Sequence, residues 1–251
     1  MVNSMNNSIA FEKMRNRIIQ GDCLELMNDI PDDAVDLILC DPPYLMRYKT
    51  NRRKNKSHRF CTPITNDNNP EFVSELIKQC CRVLKLNCAM YMFCNTAQVD
   101  FFKRELEKQF RIRNLIVRIK NNHTAGDLEA AFGRRYEFIF LVNKGRAPFR
   151  GKRLTDVWGL DSEERRILNT DDRPRLHQNQ KLIPLIKRCI ATHSDAGDLV
   201  LDPVCGSGSA LIAAAELGRD FIGIEIEADF AEQAKQYLTD YNLKKNLLLQ
   251  F

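Results

Sequence analysis

The chain has 251 residues, 44% of them hydrophobic, and a net charge of +5. That length suits one soluble α/β domain with a sizeable core. No apolar run approaches the roughly 18 residues of a membrane span and the polar opening "MVNSMNNS" is not a signal peptide, so a cytoplasmic protein with no membrane partner is expected.

Short apolar runs alternate with helical patterns, which predicts βα repeats and a mostly parallel sheet. "RIIQG" (Arg17–Gly21) reads as a strand, and Asp22-Cys23-Leu24-Glu25 as the start of a helix. "VDLILC" is a second strand, and it runs directly into Asp41-Pro42-Pro43-Tyr44. A turn needs nothing so particular, since Gly, Asn or one Pro would break the strand as well.

Seven cations follow that tetrapeptide with no acid before Asp67: Arg47, Lys49, Arg52, Arg53, Lys54, Lys56 and Arg59. Without them 31 basic residues face 33 acidic ones, so the positive charge is concentrated in one segment. A smaller cluster follows at Lys144, Arg146, Arg150, Lys152 and Arg153. Either run alone reads as a solvated loop; two of them beside a chemical motif point to a polyanion, nucleic acid above all.

Asn69-Pro70 opens a helix with Phe72, Val73, Leu76, Ile77, Cys80 and Leu84 on one face. "AMYMFC" (Ala89–Cys94) is a third strand, followed by a helix marked by Val99, Phe102, Leu106 and Phe110. "RNLIVRIK" and "YEFIFLVNKG" are two more strands around a polar loop, Asn121–Arg135. Residues 145 to about 176 show weak periodicity and read as a variable insert; Trp158 within it fits DNA contact and core packing equally. "KLIPLIKRCIATH" is helical, with Pro184 delaying or kinking its start. "DLVLDP" and "FIGIEIE" complete seven strands, separated by "GSALIAAAELG" with Gly218 at a helix end, and a last amphipathic helix follows.

Nine cysteines, none spaced as CxxC, suggest neither a zinc site nor a disulfide framework, and no metal is expected. The segment "VLDPVCGSGSALIAAAELGRDFIGIEIE" places a strand before Gly206-Ser207-Gly208, then a helix, then a strand ending at Glu225. Glycines allow close backbone approach to a ligand, and an acid after the next strand can accept from ribose hydroxyls. Leu211 occupies the third glycine's place of the dinucleotide pattern, which disfavours a nicotinamide dehydrogenase. A ligand with adenine and ribose but no pyrophosphate fits better, as S-adenosylmethionine does.

Together the two motifs resemble the β-class amino-methyltransferases of DNA, of prophage or restriction-modification type, in which DPPY precedes the glycine-rich cofactor motif. "KNNHTAGDLE" resembles a segment of prophage-type enzymes, and "HQNQK" (His177–Lys181) resembles the family's HPTQKP, with Gln178 and Leu182 in place of its prolines. Val204 and Ser209 stand where the family has Phe and Thr.

The resemblance implies a Rossmann-like, S-adenosylmethionine-dependent fold with a seven-stranded, mostly parallel sheet in permuted motif order. It implies one catalytic domain over residues 1–251, with DNA-contacting inserts at 45–68 and 145–176. For the cofactor it implies Asp22 on the adenine amine, the Cys23 backbone, Asp41, Lys181 at the methionine end, and the loop of Asp202, Pro203, Cys205, Gly206, Ser207 and Gly208. Glu225 and Ile226 complete that set. Asp22 reads equally as a helix cap, and Asp202 as a cap of the glycine loop.

The implied reaction is methyl transfer to the exocyclic N6 of a flipped-out adenine in double-stranded DNA. Asp41 and the Pro42 carbonyl accept the amine hydrogens, Pro43 stiffens the turn and Tyr44 offers a stacking face. The segment Arg47–Arg59 supplies phosphate contacts and gap-filling groups. Asp rather than Ser at the head of the motif resembles the adenine enzymes more than the cytosine-N4 ones. The chain lacks the Pro-Cys pair of cytosine-C5 enzymes. Cytosine N4, RNA, a protein amide and a catalytically silent DNA-binding module are the alternatives. A homodimer and a cognate restriction endonuclease are both compatible with this reading.

Overall fold

Leu37 and Leu39 on one side of "VDLILC", and Ile38 and Cys40 on the other, are all buried, as befits a strand covered on both faces. That strand is β2 (Val35–Cys40), the centre of one sheet in the computed structural model, which describes residues 9–46, 65–122, 129–170 and 180–248. Its other members are β1 (Arg17–Gln20), β3 (Leu84–Cys94), β4 (Arg111–Ile119), β5 (Tyr136–Lys144), β6 (Val157–Trp158), β7 (Leu199–Asp202) and β8 (Asp220–Glu225). The order is β1-β8-β7-β2-β3-β5-β4-β6, with β5 antiparallel to both of its neighbours and every other pair parallel.

All seven expected strands are present, and the sheet has an eighth. β6 is a two-residue strand beside β4, too short to leave a period-2 pattern. It lies inside the segment expected to be irregular, as does a helix capped by Asp161, α4 (Ser162–Leu168). Trp158 is buried against the ring of Tyr91 and under the guanidinium of Arg188, so core packing is its observed role.

The remaining helices are α1 (Cys23–Leu26), α2 (Pro70–Val83), α3 (Val99–Glu107), α5 (Ile183–His193), α6 (Ser209–Glu216) and α7 (Ala228–Leu248). Asn69 caps α2 by accepting from the Phe72 N–H at 3.0 Å, and Pro70 fills the first turn, where its missing N–H costs nothing. Helices α5, α6 and α7 pack on the face carrying Leu37, Leu39, Tyr91 and Phe93. Helices α2 and α3 pack on the face carrying Ile38, Cys40, Met90 and Met92.

Strands β1 and β2 follow each other in the chain but are separated in the sheet by β8 and β7, which come last. The strand order therefore reverses between β7 and β2. In an open α/β sheet the crevice beyond the carboxyl ends at such a point is where ligands bind.

Candidate active site

Four of the expected acids gather at that crevice because each follows the carboxyl end of a neighbouring strand: Asp22 after β1, Glu225 ending β8, Asp202 ending β7 and Asp41 after β2. Asp22 caps α1, its Oδ1 accepting from the Leu24 N–H at 2.8 Å. The Cys23 thiol points into the core, and burial pushes it up to about 12, which leaves only its backbone for a ligand.

The glycine loop is shaped by left-handed backbone at Gly206 (φ 52°) and Gly208 (φ 77°), the latter capping α6. The Gly206 N–H donates to Glu225 Oε2 at 2.8 Å, and the Glu227 N–H to Oε1 at 2.9 Å. Asp202 Oδ1 accepts from the Val204 N–H at 3.2 Å, so it caps the loop. Cys205, Ser207 and Pro203 are buried behind the loop, whereas Ile226 is exposed. A Cβ on Gly223 of β8 would stand 2.2 Å from Leu211 Cδ1. The close helix–strand approach that a third loop glycine would allow is thus provided from the strand instead.

The Asp41-Pro42-Pro43-Tyr44 tetrapeptide is held differently. The Tyr44 hydroxyl donates to Asp41 Oδ1, and Lys181 Nζ lies 3.0 Å from the same oxygen and donates to the Tyr44 hydroxyl at 3.0 Å. The ammonium also sits 4.3 Å from the centre of the Phe93 ring. Lys181, expected at the cofactor's methionine end, is therefore placed on the DPPY carboxylate. Its own carbonyl accepts from Ser209 Oγ at 2.9 Å, which ties it to the first residue after the glycine loop.

Sequence reasoning missed Glu137 and Arg118. Glu137 Oε2 lies 3.5 Å from Lys181 Nζ, and Oε1 accepts from Arg118 Nη1 at 2.8 Å. Strand alternation explains the meeting: residues 39 and 41, 91 and 93, 137 and 139, and 116 and 118 share one face. The available signal was an acid at position 137, on the face where Ile139 and Leu141 are apolar, and a base at 118 in line with Ile116.

Burial raises the Asp41 carboxyl above its ordinary value, against the opposing pull of Lys181 and the Tyr44 hydroxyl. Burial alone would lower Lys181, but Asp41 and Glu137 outweigh it and the ammonium is held above its usual value. Burial would raise Glu137, but Lys181, Arg118 and Lys120 bring it below the ordinary carboxylate value. Asp202 is pushed well up by burial, with Asp41 and Glu225 acting in the same direction.

A family model described as DNA methylase matches residues 35–236. The chain belongs to that family, the N6/N4 DNA methylases. It is 30% identical over 249 residues to the DNA adenine methyltransferase YhdJ of Escherichia coli, covering 88% of this chain and 82% of that protein. Its fold matches a complex of M1.HpyAVI with SAM at a TM-score of 0.62, with 23% identity over 88% of this chain and 97% of that one. It matches the cytosine-N4-specific PvuII methyltransferase at 0.63, with 13% identity over 90% of each.

As a DNA methylase the chain needs a surface for the duplex, and the sequence placed it at two basic runs. Arg47, Lys49, Arg52, Arg53, Lys54, Lys56 and Arg59 lie outside the described residues, as do His123 and His177. The second run lies at the opposite edge of the sheet from Asp41, because β5 runs antiparallel and ends at Lys144. There Lys144 pairs with Asp33 at 2.7 Å and Arg150 with Asp195 at 2.6 Å. That run is no part of the DPPY edge. The chain returns to that edge through β6, which brings α4 and Asn169 beside Arg118. The loop between β4 and β5 opens on the same edge, with Phe132 fully exposed and Arg134 exposed beside it.

Proposed function

We propose that this DNA methylase transfers the methyl group of S-adenosylmethionine to the exocyclic N6 of adenine flipped out of double-stranded DNA. The observation that carries the reading is the juxtaposition of the DPPY carboxylate with the glycine loop across the β7–β2 crevice. Asp41, Asp202 and Glu225 make that crevice acidic, and each is raised by burial. A ligand bearing sulfonium and ammonium charges suits such a pit, whereas a pyrophosphate would be repelled by it. Bound there, the cofactor supplies an electrophilic methyl carbon.

Glu225 retains acceptor capacity for ribose hydroxyls beyond its two backbone donors. In this reading Asp22 accepts from the adenine amine, with the Cys23 backbone beside it. Residues 202–208 and Ile226 form the wall between them. At the other side of the crevice Asp41 and the Pro42 carbonyl accept the two hydrogens of the target amine. That draws density from the ring back to nitrogen and favours a tetrahedral geometry. The surplus proton then has a receiver in Asp41, a stronger base for being buried.

Unstacking a base costs a few kcal/mol, and one aromatic stack returns roughly 1–3 kcal/mol. Tyr44 offsets part of that once its hydroxyl leaves Asp41. The segment Arg47–Arg59 contacts phosphates, and Phe132 on the same edge is placed to fill the vacated space.

Adenine is favoured over cytosine by Asp at the head of the motif and by the identity to an enzyme named as an adenine methyltransferase. Incubation with labelled cofactor and unmethylated DNA, followed by nucleoside mass spectrometry, should yield N6-methyladenine. N4-methylcytosine would overturn the base assignment, and label only in RNA or protein would overturn the substrate.

A further inference from the structure

We propose that Glu137 is a positioning residue for methyl transfer: anchored by Arg118, it shares the Lys181 ammonium with Asp41 and so keeps that acid basic enough to receive the target amine. The inference rests on the reading of Asp41 given above. Asp41 Oδ1 at 3.0 Å, the Tyr44 hydroxyl at 3.0 Å and Glu137 Oε2 at 3.5 Å all lie close to this ammonium. Glu137 is itself fixed by its cross-strand neighbour Arg118, which also donates to Asn169 Oδ1 at 2.5 Å and to the Leu168 carbonyl at 3.4 Å. From the other side Ser209 holds the Lys181 backbone. The lysine is thus clamped between the insert's helix α4 and the glycine loop.

Stability alone gives no reason for the cluster. Buried ion pairs are commonly replaceable by apolar side chains at no loss, and here the charges stand beside the reacting acid. Their arrangement does have a chemical consequence. A lysine paired with Asp41 alone would concentrate its charge there, depress that carboxyl and weaken it as an acceptor. A second carboxylate draws the ammonium partly away and adds its own negative potential. The groups facing Asp41 and Glu137 from the surrounding elements are Tyr44, Cys94, Arg118, Lys120, Lys181 and Asp202.

The test is E137Q, which keeps the shape and removes the charge. With carboxyl-labelled aspartate, NMR of the unliganded protein should show Asp41 titrating at lower pH in E137Q and at higher pH in K181M. With DNA, kcat should fall roughly 10–100-fold while KM for either substrate stays within about twofold, and the acid limb of the kcat–pH profile should move down. E137D, which retains the charge at shorter reach, should shift Asp41 in the same direction by less, and it carries the test if E137Q does not fold. An unmoved Asp41 titration in the folded variant overturns the proposal, as does an unchanged kcat in that variant. The titration needs neither DNA nor cofactor, so a wild-type protein that methylates no DNA would overturn the preceding reading while leaving this result interpretable.

Discussion

The two halves of the sheet's carboxyl edge hold their acids in opposite ways. Beside the glycine loop, Asp22, Asp202 and Glu225 accept from backbone N–H groups at positions 24, 204, 206 and 227. On the DPPY side, Asp41 and Glu137 face side-chain cations, Lys181 and Arg118. Backbone donors are fixed by the fold and carry only partial charge, so they orient a carboxylate and leave it free to accept more. A lysine carries a whole charge and moves, so it sets how basic its partner is. On the reading proposed above, the first half holds a ligand and the second adjusts a proton acceptor.

The sharpest way to break that division is Asp41→Ala. Methyl transfer should fall roughly 10²–10⁴-fold, while cofactor affinity measured by calorimetry changes little. Equal losses in both would mean that the halves are one site without separate duties.

Beneath the catalytic half, His193 at the end of α5 contacts the Tyr91 hydroxyl at 2.7 Å. Burial and then Arg150 pull its imidazole down from 6.5 to about 4. The folded chain therefore binds this proton less readily than the unfolded one. The associated stability is fully present above pH 6.5 and is lost as pH falls toward 4, amounting to roughly 3 kcal/mol. Urea unfolding at pH 7 and pH 5 should show roughly 2 kcal/mol of this loss in wild type and a shallower one in His193→Gln. Identical slopes would remove His193 from the account.

Glu225→Ala probes the other half. It removes the proposed ribose acceptor and orphans the Gly206 N–H, so cofactor binding should weaken by about 1.5–3 kcal/mol, roughly 10–100-fold. At saturating cofactor kcat should stay near wild type. A collapse of kcat instead would show that the glycine loop also sets the catalytic geometry, through Ser209 and Lys181.

The same contrast explains what the sequence made legible. Asp22, Asp202 and Glu225 bond within a few residues or across one βα unit, so spacing alone exposes them. Strands such as β2 and β7 were readable because covered strands are continuous apolar runs. Glu137 meets Lys181 across 44 residues of chain and Arg118 through strand register, and neither distance is written in a local pattern. The edge at which the second basic run lies was hidden for a related reason: nothing local announces that β5 runs backwards and delivers Lys144 to the far edge. The two-residue β6 exists only because β4 offers it an unpaired edge.

The strand order also has a consequence for how the chain is made. When β2 leaves the ribosome its left-hand neighbour, β7, is still some 160 residues from synthesis. Until then an apolar strand bearing the catalytic acid has one unsatisfied side, a template for pairing with other nascent chains. β1 waits longer still, for β8. The crevice between β7 and β2 therefore cannot assemble progressively: the DPPY motif is translated early and stays one-sided until β7 and β8 dock.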